Sequence, residues 1–283
     1  MYLLPAAAVL VPLFGYPLYQ LGLLSTFDYT QAQVSGGQPA RFLGLDNYRG
    51  LAGDPRFWDV LGQTVWFAGA CVVATLAVGA ALAVLMTRIG RGPRLLLSLA
   101  AMAAWAAPAM TGSTVWLFLF DTDVGLVNRL TGTSGHNWFF DRYSAFAVVG
   151  ATVVWHSFPF VMISLYAGIQ SISTSVLEAA AMDGAGPWTQ FRRIVVPLLR
   201  PILVIVVIQS IIWDFKIFTQ IYIMTNGGGI AGQNLTLNVY AYQRAFGSSE
   251  YGLGSAIGVV LSLILLVVTL AYLRALRRTG SEL

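Results

Sequence analysis

The sequence predicts an all-α integral membrane protein of six transmembrane helices. Three observations carry this. Charged residues make up 10% of the chain and hydrophobic ones 57%, with a mean hydropathy of +0.71; a soluble domain carries about 25% charge. Uncharged runs of spanning length recur along the chain. Arginine is dense in alternate links between them.

The runs follow in order. Residues 1–27 are uncharged, and the first positive charge, Arg41, comes only after them. That stretch lacks a basic start and exceeds the roughly 7–15 apolar residues of a signal-peptide core, so it reads as a span. Residues 60–87 form the second run and hold Cys71, the only cysteine, which excludes an intrachain disulfide and reads as packing. Residues 95–120 form the third and 143–177 the fourth, with His156 inside it. The fifth, 201–225, is apolar except for Asp214 and Lys216, and 251–273 is the sixth. Each reaches the roughly 20 residues that cross about 30 Å of hydrocarbon. They must be helical, because backbone groups in lipid are paired within their own segment. Six spans leave little over, so residues 1–283 read as one membrane domain.

Charge orients the spans. The links after spans two and four are short and basic, with Arg88, Arg91 and Arg94 in one and Arg192, Arg193 and Arg200 in the other; Arg274, Arg277 and Arg278 follow span six. The opposite links mix arginine with Asp28, Asp46, Asp54, Asp121 and Glu250. The basic links are expected in the cytoplasm, with both termini. The net charge of +4 reflects this bias and gives no reason to expect a nucleic-acid partner. No Cys/His set at metal spacing, phosphate loop or nucleophile elbow is present. Fifteen arginines against one lysine, with abundant Ala, Gly and Val, fit a GC-rich bacterial genome. The sequon at Asn234 reads as accidental.

Residues 178–201, EAAAMDGAGPWTQFRRIVVPLLRP, form a polar, Gly-containing interlude between two apolar runs. Ser173 or Ser175 is expected to cap a short helix, with Glu178 in its first turn, where a negative charge suits the helix dipole. Gly184 and Gly186 are expected to end it and Pro187 to start the next. By itself this could be a surface connector. Glu178, Ala179, Ala180, Asp183, Gly184, Ala185, Phe191 and Pro197 nevertheless fall on one pattern. It resembles the EAA loop of permease subunits in ATP-driven, binding-protein-dependent ABC importers. The resemblance implies a type I importer bundle. Loop 173–200 would then be the coupling loop, with Glu178 to Gly186 docked on an ATPase subunit.

Ionisable residues inside spans face a cavity or a partner. His156 lies roughly 20 Å into span four and Asp214 about as far into span five from the other side, at 1.5 Å per residue. Phe160 is one turn from His156, and Ser210 one turn from Asp214, beside Trp213. Rings with hydroxyl, carboxylate and imidazole groups suit a sugar. Packing between helices would explain the same residues. Lys216, two positions from Asp214, is expected on another face.

Residues 214–246 resemble the first permease type of the maltose-family sugar importers, on Phe215-Lys216-Ile217-Phe218, the turn from Met224 to Gly229, and Tyr240 and Tyr242 near Phe246. Leu4-Pro5, Tyr16-Pro17 and Leu45 to Tyr48 agree. The longest outer link, 25–58, is too short for the large external domain of the maltose protein itself. The resemblance implies a sugar pathway around His156, Ser157, Phe160, Ser210, Trp213 and Asp214. It implies di- or oligosaccharides, amino-sugar oligomers among them. It also implies a second permease, two ATPase subunits and an extracytoplasmic sugar-binding protein as partners. This chain would bind no cofactor, since ATP and Mg belong to the ATPase subunits. An ion-coupled secondary transporter with Asp214, His156 and Lys216 on a proton path is the alternative; it needs no such loop.

Overall fold

A computed structural model describes residues 4–280 and is almost entirely helical. The chain ends, Met1 and Leu283, whose cytoplasmic placement the arginine pattern predicts, lie outside the described residues. Helix α1 is Leu4–Leu24. Strands β1 (Phe27–Asp28) and β2 (Arg41–Phe42) pair antiparallel in the link that follows α1. Helices α2 (Pro55–Arg88) and α5 (Arg142–Gln170) are unbroken and long enough to span, as is α10 (Tyr251–Gly280).

The third and fifth spans depart from the straight helices expected. Span three is α3 (Arg91–Ala106) and α4 (Ala109–Leu119), bent by 104°. Pro108 sits at the break and forces Ala107 into an extended conformation, because a residue before proline avoids the helical region. Span five is α7 (Arg200–Phe215), bent by 71° from the preceding segment Pro187–Leu198. Pro197 and Pro201 flank that bend and each removes a backbone donor. The helix then stops at Phe215, and α8 (Thr219–Met224) resumes after a turn at Lys216. Asp214 therefore lies at the end of a helix rather than within one.

The frame is the pair α2 and α5, which pack side by side along most of their length. They run parallel: Gln63 meets Arg142 at one end, Phe67 meets Phe146, and Gly79 meets Val161 further on. A Cβ at Gly79 would fall 2.5 Å from Val161 Cγ1, so only glycine allows this approach. Helix α7 runs the other way, with Ile202 against Gly168 and Trp213 against Phe160. This direction of travel sorts the arginines as the sequence predicts. Arg56, Arg142 and Arg244 gather at one end, where Arg244 reaches Glu250 at 3.0 Å and Asp54 at 3.9 Å. Arg94 lies over the Tyr166 ring at the other. Asn234 is fully buried and donates to the Arg142 carbonyl at 3.0 Å, so its sequon is closed to modification.

Two apolar clusters divide the bundle by height. One holds Phe57, Phe67, Phe146, Val153, Ile217, Ile221, Leu237 and Ile257. The other holds Ala83, Met86, Ala101, Val161, Met162, Leu165 and Val206. Along α5 the first cluster reaches Val153 and the second begins at Phe158; along α7 the second holds Val206 and the first resumes at Phe215. His156 and Ser157 of α5 and Ser210 and Asp214 of α7 occupy the gap.

Candidate functional site: a cavity between the two clusters and a bare helix below it

A cavity of ≈ 330 Å³ opens in that gap. Trp105, Val153, His156, Ser157, Trp213, Asp214, Lys216, Ile217 and Phe218 contribute to its wall. Four of the six pathway residues expected from sequence thus share one space. Phe160 and Ser210 support it from behind: the Phe160 ring meets the Trp213 ring edge-on at 5.0 Å, and Ser210 is buried in α7. Asp214 is 3% exposed, and its Oδ2 has no hydrogen-bond partner among the described residues. A buried carboxylate oxygen is costly to leave unpaired. His156 accounts for one nitrogen, which lies 3.0 Å from the Ala107 carbonyl at the span-three break.

Lys216 departs from its expected place on another face. The end of α7 turns the chain, and Lys216 lines the same cavity as Asp214. It forms no ion pair within 4.0 Å among the described residues. Periodicity misplaces it because helical spacing does not continue past Phe215. Trp105 is a further wall residue that sequence reasoning missed. It belongs to an uncharged run in which no pattern marks it, and it lies near the end of α3, just before the bend.

At the other end, α6 (Thr174–Met182) carries Glu178, Ala179 and Ala180 and buries none of its residues. Met182 is 88% exposed, and Trp188 beyond the turn is 70% exposed. The helix starts at Thr174, so Glu178 falls in the second turn, beyond reach of the dipole argument. Ser173 holds the N-cap position, but its hydroxyl pairs with Ser175 Oγ at 2.7 Å instead of capping. The C-terminus is a Schellman turn. Gly184 N–H donates to the Ala181 carbonyl at 3.0 Å and Ala185 N–H to the Ala180 carbonyl at 2.9 Å, with Gly184 at φ +83°. Gly186 then precedes Pro187, the first residue of the next helical turn.

Such a polytopic bundle, with a polar cavity at mid-height and an uncovered helix at one end, has the build of a membrane transport subunit. The chain belongs to the family of binding-protein-dependent transport system inner membrane components, whose sequence profile matches residues 75–280. It is therefore a multi-pass membrane protein and a transport subunit, not an enzyme. It is 39% identical to the diacetylchitobiose uptake system permease protein DasB of Streptomyces coelicolor, over 99% of this chain and 87% of that one. It is 33% identical to the sulfoquinovosyl glycerol transport system permease protein SmoG of Agrobacterium fabrum, over 97% and 89%. The fold matches a subunit of a bacterial ABC transporter that imports the acidic polysaccharide alginate, with a TM-score of 0.79 at 18% identity, over 98% of this chain and 96% of that one. It also matches the MetNI methionine ABC transporter, with a TM-score of 0.58 at 17% identity, over 80% and 98%.

Proposed function

We propose that this chain is a permease subunit of an ATP-driven, binding-protein-dependent importer of di- or oligosaccharides, and forms half of the translocation pathway. One observation carries the reading. Loop 173–200 joins α5 directly to α7, and these two helices place Val153, His156, Ser157, Trp213 and Asp214 in the cavity wall. A push on the bare helix α6 therefore moves both cavity walls. The other half comes from a second permease. One of two ATPase subunits receives Glu178 to Gly186, and an extracytoplasmic sugar-binding protein delivers the substrate. ATP and Mg act in the ATPase subunits, and this chain holds no cofactor. Among the described residues no group of three or more His, Cys, Asp or Glu could hold a metal. The whole chain, 1–283, acts as one permease domain in a bacterial cytoplasmic membrane, with the loop and both termini inside.

In the cavity, Trp213 offers a ring face to a sugar and Asp214 accepts from its hydroxyls. Closure of the ATPase pair favours an outward-open cavity, and hydrolysis restores the inward-open one. Two of the curated relatives transport glycosides by name, one of them an N-acetylated disaccharide, which makes diacetylchitobiose and its four-sugar homologue suitable probes. The test is their uptake into proteoliposomes carrying the whole complex. Trp213→Ala should reduce uptake about tenfold, the loss of one stacked ring, with assembly unchanged. Absence of uptake of both probes by the wild-type complex would overturn the assigned sugar class.

A further inference from the structure

The cavity at Asp214 has a neighbour. A second space of ≈ 580 Å³ lies between α1, α9 (Leu237–Tyr242) and α10, and includes Asn238, Tyr242, Phe246 and Tyr251 in its wall. Lys216 and Phe218 line both spaces, so one short turn divides them. The rings around it form a connected row. Phe218 and Tyr242 lie 5.2 Å apart between centroids, Tyr242 and Phe246 5.0 Å, Phe246 and Tyr251 6.0 Å, and Tyr251 and Tyr29 6.3 Å. The row begins at the Asp214 cavity and ends in the link that follows α1, where Tyr251 Oη donates to Gln31 Oε1 at 2.8 Å. Tyr242 is 39% exposed and Phe246 64%.

From this geometry we infer that the row is a second sugar-binding track, which carries the distal residues of an oligosaccharide while its first two residues occupy the Trp213–Asp214 cavity. The inference rests on the proposed sugar-import function and adds a chain-length preference to it. Three features support it. The first cavity is at the small end of ligand pockets, which run from about 300 to 1,000 Å³, so a longer sugar must extend beyond it. The second space adjoins it across the turn at Lys216 and Phe218. The wall there is mainly apolar and also holds a few polar groups, namely the Asn238 amide, the Tyr242 hydroxyl and Ser255. Aromatic faces cover the apolar faces of sugar rings while nearby polar groups meet the hydroxyls. Lys216, at the junction, offers donors to the sugar at the point where it passes from one space to the other.

The test is uptake by the complete complex of diacetylchitobiose and its four-sugar homologue, in Tyr242→Ala, Phe246→Ala, Tyr242→Trp and Trp213→Ala forms. The alanine variants should assemble normally and transport the disaccharide at close to the wild-type rate. Their KM for the tetrasaccharide should rise about tenfold, the equivalent of one lost stacked ring. Tyr242→Trp should retain tetrasaccharide uptake. The track is wrong if both alanine variants leave both sugars unaffected, or reduce both equally. It is also wrong if they fail to assemble with the second permease, because the rings are then an interface. A defect in Trp213→Ala with silent Tyr242 and Phe246 variants removes the track alone; a silent Trp213→Ala removes the underlying site.

Discussion

His156 Nε2 lies 3.0 Å from the carbonyl oxygen of Ala107, and this contact ties the middle of span four to the break in span three. Pro108 ends helical pairing there, and a carbonyl freed at membrane depth needs a donor from elsewhere. A carbonyl only accepts, so Nε2 carries the proton. His156→Leu should destabilise the fold by about 1–3 kcal/mol, the cost of an unsatisfied buried acceptor. His156→Gln, which keeps a donor, should recover much of that. Thermal unfolding of the detergent-purified chain measures both. Equal melting of the Leu and Gln variants would show that the contact does not hold the break.

Gly184 sits at φ +83° with open space around its Cα. Gly184→Ala meets no neighbour and carries only the left-handed backbone penalty of about 1–2 kcal/mol. Gly184→Pro also removes the N–H that closes the turn on Ala181. The expected order of sugar uptake is wild type, then Ala, then Pro near zero, with membrane insertion intact. Glu178→Ala leaves the helix formed and should abolish uptake by removing a docking contact. Normal transport by an inserted, assembled Glu178→Ala complex would remove Glu178 from the coupling role.

Sidedness is tested by single cysteines in a Cys71→Ala background. Gly90 and Gly186 have negative φ and no neighbour within 4 Å of an added Cβ, so cysteine fits both. Gln38 and Ser134 are exposed sites in the opposite links. An impermeant thiol reagent applied outside intact cells should label positions 38 and 134 and spare 90 and 186. The reverse pattern would invert the orientation.

Asp214→Asn keeps the shape of the side chain and removes its charge. Uptake should fall about tenfold, the loss of a charge-assisted hydrogen bond to a sugar hydroxyl. Assembly and ATPase activity stimulated by the loaded binding protein should persist. Unchanged uptake and sugar preference would make Asp214 a structural residue.

Much of this was legible in the chain. Charge and run length located the spans: three of the six expected are straight helices of spanning length, two are bent helix pairs, and the first holds a shorter apolar helix, Ala8–Leu24; the opposite ends of the bundle followed from arginine spacing, because lipid imposes one rule on every segment. The turn at Gly184 was legible because few residues tolerate its φ. The bends were harder to read. Pro108 and Pro197 are visible as letters, but prolines also sit inside intact helices here, as Pro159 does in α5. Lys216 and Trp105 were misplaced or missed for that reason: a helix stops or bends beside each. The start of α6 at Thr174 moved Glu178 by a turn, since three adjacent hydroxyl residues offer competing caps.

The most direct test compares energy sources. Proteoliposomes would hold this chain, its second permease and its ATPase subunits, with the loaded binding protein on the outer face. Uptake of labelled diacetylchitobiose or its four-sugar homologue should require ATP and the binding protein. It should stop when the ATPase subunits are made hydrolysis-defective, and it should ignore an imposed proton gradient. Uptake driven by a proton gradient with the ATPase subunits absent would contradict the account and favour the ion-coupled alternative.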